Sequence, residues 1–119
     1  MIEYPAEYLQ GIELFNREAF FEAHEVWESI WMRSQGFERL FYQALIQAAA
    51  ALLHHRNGNR KGALNLAKLA SEKFAQLPDN MLGLDVRDFC GKISGLIDDT
   101  APVKNPKIMI KQCERLPEE

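Results

Sequence analysis

From Leu40 to Leu53 the chain runs Leu-Phe-Tyr-Gln-Ala-Leu-Ile-Gln-Ala-Ala-Ala-Ala-Leu-Leu, and only Gln43 and Gln47 bring a strongly polar side chain to it. A helix that is apolar nearly all round belongs at the centre of a bundle. This segment must therefore be wrapped by other helices on most of its sides. Its longest mostly apolar run, Ala44 to Leu53, spans ten residues, whereas about twenty are needed to cross a bilayer. It reads as a core helix, and no membrane partner is expected.

The flanking segments supply the wrapping. Pro5 fits the first turn of a first helix, where its missing N–H matters least, and Leu9, Ile12 and Phe15 follow at helical spacing. A second helix is expected from about Glu18 to Met32, then a turn at Ser34-Gln35-Gly36, where glycine can take positive φ. The third runs from about Phe37 to Arg56 and stops at Asn57-Gly58. Asn59 can cap a fourth that extends to about Gln76, and Asp85 can cap a fifth through Ile97. Pro102, Pro106 and Pro117 leave the C-terminal tail irregular, with Ile108-Met109-Ile110 as its apolar anchor. No strand pair is evident. Phe20 to Glu28 and Asn59 to Leu64 loosely resemble the second helix of a tetratricopeptide hairpin, but Ala63 follows Ala23 by forty residues, against the usual thirty-four or so. The expectation is an all-α fold of about five helices in stacked antiparallel hairpins, loosely tetratricopeptide-like. One domain over 1–119 is expected, with a core at 5–98 and a tail at 99–119.

Charge narrows the partners. With 17 acidic and 14 basic residues the net charge is −3, which offers no field attractive to nucleic acid. The distribution is uneven. Residues 1–33 hold seven acids and two bases, and residues 34–76 hold two acids and six bases. An acidic first hairpin resting against a basic second one is the simple reading. Cys90 and Cys113 lack CxxC or framework spacing, so both are expected as free thiols in a reducing cytoplasm. Met1-Ile2-Glu3-Tyr4-Pro5 shows no basic region followed by an apolar stretch, so no secretory leader is expected.

Chemistry concentrates on the second helix. On a wheel with His24 at zero, Val26, Ile30, Ala23, Trp27, Phe20 and Trp31 fill the arc from about 200° to 340°. Glu28 follows His24 at about 40° and Phe21 at about 60°, so a histidine and a carboxylate at i and i+4 lie between large aromatics. Glu25 and Glu22 point away, toward solvent. On the third helix Gln43, Gln47 and His54 form one polar line within about 40°. An antiparallel hairpin turning near residues 35 and 36 pairs residues whose numbers sum to about 71, which sets His24 against Gln47 and Glu28 against Gln43. A buried Glu28 needs a partner, and Arg39 and Tyr42 are further candidates. Two readings follow: a satisfied hydrogen-bond network that fixes the hairpin, or a small-ligand or metal pocket lined by His24, Glu28, Gln43, Gln47 and His54.

A divalent metal could be chelated by His24 and Glu28 from one helical turn, although Glu28 stands where HExxH has its second histidine. A third ligand is harder to find: His54 lies seven residues, roughly 10 Å of helix, beyond Gln47. The absence of any Glu-x-x-His pair argues against a ferritin-like di-iron site. His55 reads as a surface residue, the turn Gly58-Asn59-Arg60-Lys61-Gly62 as a helix connection, and Cys90 as no nucleophile.

Phe20-Phe21-Glu22-Ala23-His24-Glu25-Val26-Trp27-Glu28, Gln43 to Ala50, His54, Gly58-Asn59 and Gly62-Ala63 together resemble domain-of-unknown-function family 309 over about residues 10–70. The resemblance implies a small all-helical protein of a family without an established activity that has been called a predicted metal-dependent hydrolase. That label implies His24, Glu25, Glu28 and His54 as candidate ligands or bases, with Glu25 the candidate catalytic residue. Ala44 stands where many members have glycine, a change that concerns packing. The leading expectation is a non-catalytic binding or structural module with an unknown small-molecule or protein partner, and with a homodimer through exposed aromatics as one possibility. The alternative is a metal-dependent hydrolase using His24 and Glu28.

Overall fold

The computed structural model describes residues 4–97 and Ile108. Five helices follow in order: α1 (Ala6–Asn16), α2 (Phe20–Trp31), α3 (Gly36–Arg56), α4 (Arg60–Phe74) and α5 (Val86–Ile97). Each packs on the next, α3 is held between α2 and α4, and α5 closes against α4 and α3. The expected all-α architecture is present.

Local chemistry sets the boundaries. Gly36 and Gly58 both take positive φ, at 64° and 81°, as the turns before and after α3 require. Asp85 caps α5 through Oδ1, which accepts from the Asp88 N–H at 3.1 Å. The Arg87 guanidinium donates to the Phe74 and Leu77 carbonyls, at 2.7 and 2.5 Å, and to Asp79 at 2.9 Å. It thereby satisfies the end of α4, where a cation is favoured.

Two expectations need correction here. On α1 the buried residues are Tyr8, Gly11, Ile12 and Phe15, while Leu9 is 41% exposed. Tyr8 takes the core place because a ring at that angle meets Phe41 and Tyr42 on α3. A strand pair does exist, though minimal: Asn80–Met81 (β1) and Leu84–Asp85 (β2) pair antiparallel. Its two turn residues, Leu82 and Gly83, sit at φ 50° and 80°. Leucine is a poor signal for that left-handed turn, which hides it in the sequence. Tyr8 supports the turn by donating its hydroxyl to the Leu82 carbonyl at 2.9 Å. Glu22, Glu25 and Glu28 make no ion pair with the α4 lysines among the described residues. The Arg56 guanidinium of the second hairpin does reach the first, donating to the Glu18 carbonyl at 2.7 Å and lying over the Phe20 ring.

Aromatic rings fill the centre. Phe15 touches Phe20, Trp27 and Phe89, and Phe89 touches Phe74, so α1 joins α2, α4 and α5 through one run of rings. Beneath it Gly11 allows α2 to close in, and the Trp27 indole N–H donates to the Tyr8 carbonyl at 3.2 Å. Ile108 is buried and exchanges both backbone hydrogen bonds with the Asn16 amide, at 2.7 and 3.0 Å. That matches the expected tail anchor at this residue. Met109, Ile110 and Cys113 lie outside the described residues.

Candidate functional site on the second and third helices

The α2 wheel predicts a sharp edge, and the structure has one. Phe20, Ala23, Trp27 and Ile30 are buried, and His24 and Trp31 beside them are half-buried. Just outside stand Phe21, Glu28 and Met32, all exposed. Phe21 is 51% and Met32 69% exposed, large values for side chains of that size. Phe21 stacks on the His24 ring with centroids 6.0 Å apart. Across the seam, α3 turns one flank to a half-buried line that includes Gln43, Ile46, Gln47, Ala50 and Leu53.

The register of the hairpin is close to that expected. The Arg39 guanidinium lies 4.1 Å from the centre of the Trp31 ring and donates to the Trp31 carbonyl at 3.2 Å, residues whose numbers sum to 70. That contact sets the register beside the turn; farther along, His24 Nδ1 and Gln47 Oε1 make no hydrogen bond.

The buried His/Glu/Gln cluster, however, is not there. Glu28 is exposed, His24, Gln43 and Gln47 are half-buried, and no polar or charged residue is fully buried among those described. Glu28 and Gln43 make no hydrogen bond to each other. His24 Nδ1, Trp31 Nε1 and Gln47 Oε1 are buried atoms without any hydrogen-bond partner. Neither further candidate reaches Glu28 either: Arg39 is committed to Trp31 and the Ser34 carbonyl, and Tyr42 is buried against Tyr8 and Phe41. The angular order around α2 holds; what fails is the extension of the dry interior by 40°, from His24 to Glu28. An orphaned buried polar atom costs about 1–3 kcal/mol, so three along one seam mark it as unusual.

His54 belongs elsewhere. It sits in the last turn of α3, where its Nδ1 accepts from the Asn59 side-chain amide at 3.1 Å, which places its proton on Nε2. The same Asn59 caps α4, accepting from the Gly62 N–H at 3.0 Å. A Cβ on Gly62 would lie 2.7 Å from Asn59 Nδ2, so glycine leaves room for the cap. His54, Gly58, Asn59 and Gly62 thus form one helix-to-helix turn. The sequence does carry a signal for this: a histidine five residues before a capping asparagine. His55, in the same last turn, is half-buried.

Glu25 is exposed and points away from the seam, as its wheel position predicts. Among the described residues no group of three or more His, Cys, Asp and Glu is placed to hold a metal ion. Cys90 is a half-buried free thiol whose Sγ lies 3.5 Å from Ser71 Oγ. A shallow cavity of about 330 Å³ opens beside it, lined by residues of α4 together with Ser94.

A model of the family described as Domain of unknown function (DUF309) matches residues 8–66, from Tyr8 on α1 to Leu66 on α4. The chain belongs to that family. The DUF309 match takes in the whole α2–α3 seam and the His54–Asn59 turn, and the motifs that carry the resemblance divide between them. An uncharacterized protein of Aquifex aeolicus (strain VF5) is 31% identical over 96 residues, covering 77% of this chain and 28% of that protein. The chain therefore spans little more than a quarter of the length of that relative. The crystal structure of a conserved hypothetical protein from Thermus thermophilus superposes with a TM-score of 0.70 at 28% identity, covering 81% of this chain and 99% of that one. No helix among the described residues is long and apolar enough to cross a membrane.

Proposed function

We propose that this DUF309 chain is a non-catalytic helical binding module whose contact face is the outer side of α2 and α3. The observation that carries this reading is a coincidence of place. Exposed Phe21 and Met32 flank the seam that also holds the unpartnered atoms of His24, Trp31 and Gln47. Apolar side chains held in water and polar atoms lacking bonds are both relieved when a second surface covers them. Half-buried side chains can change rotamer on docking, so histidine and glutamine can turn their polar atoms toward a partner.

A photo-crosslinking amino acid placed singly at Phe21, Met32 or Gln76 in living cells tests this. Gln76 is also exposed but lies beyond the end of α4. Discrete cross-linked products from Phe21 and Met32, and none from Gln76, are expected. Absence of products from α2, or equal yield from all three sites, would overturn the proposal.

A second reading keeps a divalent metal at His24 and Glu28 for hydrolysis, with Glu25 as base. What favours it is that His24 and the exposed Glu28 carboxylate stand one helical turn apart on the same edge. Metal analysis of protein purified without chelator separates the two. The hydrolase reading requires stoichiometric metal that His24→Ala abolishes.

A further inference from the structure

We infer that the cavity between α4 and α5 is a binding site for a short aliphatic monocarboxylate. It lies apart from the α2–α3 face and does not depend on the role proposed for that face.

The cavity follows from the side chains along one seam. At one end Phe74 and Phe89 fill the space between the two helices, edge against ring. Farther along, Ala67, Ser71 and Ser94 are too small to fill it, and about 330 Å³ stays open. Lys68 and Asn65 stand exposed at its mouth, Leu64, Ser71 and Ser94 are half-buried, and Ala67 is buried. None of these lining residues is acidic. No described carboxylate pairs with Lys68, not even Glu72 one turn away.

The two hydroxyls carry the argument. Ser29 and Ser34 spend theirs locally, donating to the Val26 and Ile30 carbonyls at 2.7 Å. Among the described residues Ser94 Oγ meets only Ser71 Oγ, at 3.4 Å, which is long beside the usual distance of about 2.7–2.8 Å. The Cys90 thiol donates to Ser71 Oγ at 3.5 Å, so the Ser71 proton is left to be donated into the cavity. Two hydroxyl donors side by side, with one ammonium at the mouth, match the two oxygens and single negative charge of a carboxylate. A phosphate dianion calls for a second cation, and none lines the cavity. Leu64 and Ala67 supply an apolar wall for a short alkyl chain. The volume is at the lower end for small-molecule sites, which limits the ligand to a few carbons.

Titration of the full chain with butyrate, followed by amide NMR, tests this. Butyrate should shift the resonances of Lys68, Ser71 and Ser94 with a Kd of about 1 mM. Butyramide, of the same shape without the charge, should bind at least tenfold more weakly, and inorganic phosphate at equal concentration should not displace butyrate. Lys68→Gln, at an exposed position, should abolish the preference for butyrate over butyramide. Ser94→Leu, which fills the cavity, should remove both responses while circular dichroism stays unchanged; should that variant fail to fold, Lys68→Gln alone decides. Shifts that are absent or confined to α2 and α3, equal binding of butyramide, displacement by phosphate, or a preference that survives Lys68→Gln would each overturn the inference. None of these outcomes bears on the cross-linking test of the α2–α3 face, so the two readings fail separately.

Discussion

Gly11 and Gly91 are both helical glycines, yet their surroundings give them opposite roles. A Cβ built on Gly11 would stand 2.0 Å from the Trp27 indole nitrogen, and Trp27 is fully buried and hydrogen-bonded to Tyr8. The ring cannot retreat without losing that bond and its contact with Phe15, so Gly11→Ala should destabilise the protein by about 3 kcal/mol. Gly91, on the exposed side of α5, has nothing within 4 Å of the place a methyl group would take. There alanine restricts only the unfolded chain and favours the helix, so Gly91→Ala should stabilise by about 0.5–1 kcal/mol. Urea unfolding of the two variants beside the wild type reads both signs. Sequence patterning cannot tell them apart: each is one glycine in a helical period, and only the neighbour across the interface decides.

Helices are the most legible level. Turn glycines at 36 and 58, the Asn59 and Asp85 caps and the apolar third helix all stand where pattern and capping chemistry put them. The wheel also orders Trp31, His24, Glu28 and Phe21 correctly around α2. Solvent contact at the rim of that arc is not legible, because it depends on whether another layer covers α2 and α3. His54 departs from its expected place for a different reason. Its position in the polar line suggests a shared role with Gln43 and Gln47, whereas its bond is local, to the cap of the next helix. That assignment predicts coupling. Asn59→Ala should cost about 1 kcal/mol as a lost cap, His54→Ala somewhat less, and the double variant less than their sum by about 0.5 kcal/mol or more. Strict additivity in a denaturant double-mutant cycle would detach His54 from the turn.

At the scale of the whole molecule, the ends of the described chain meet on α1: Tyr8 holds the β-turn at Leu82, and Asn16 holds Ile108. The tyrosine side of this closure gives stability a pH dependence. Burial, with smaller contributions from Glu38 and Glu7, pushes the Tyr42 hydroxyl up to about 12. Burial raises Tyr8 further still, with Tyr42 and Tyr4 adding to it. In the unfolded chain both ionise near pH 10. Between about pH 10 and pH 12 the unfolded state therefore binds fewer protons than the native state, and stability falls as pH rises. Below pH 10 both states hold these protons and the contribution is complete. Tyr8→Phe keeps the ring packing but loses the bond to Leu82, so it should lower stability at pH 7 by about 1 kcal/mol. The same change removes one of the two shifted hydroxyls, so the alkaline fall should become shallower. Denaturant midpoints measured from pH 8 to pH 12 should show both effects, with phenolate absorbance from the buried rings rising together with loss of helical circular dichroism. Ionisation of Tyr8 and Tyr42 well ahead of unfolding, or an unchanged slope in Tyr8→Phe, would contradict this account of how α1 closes the fold.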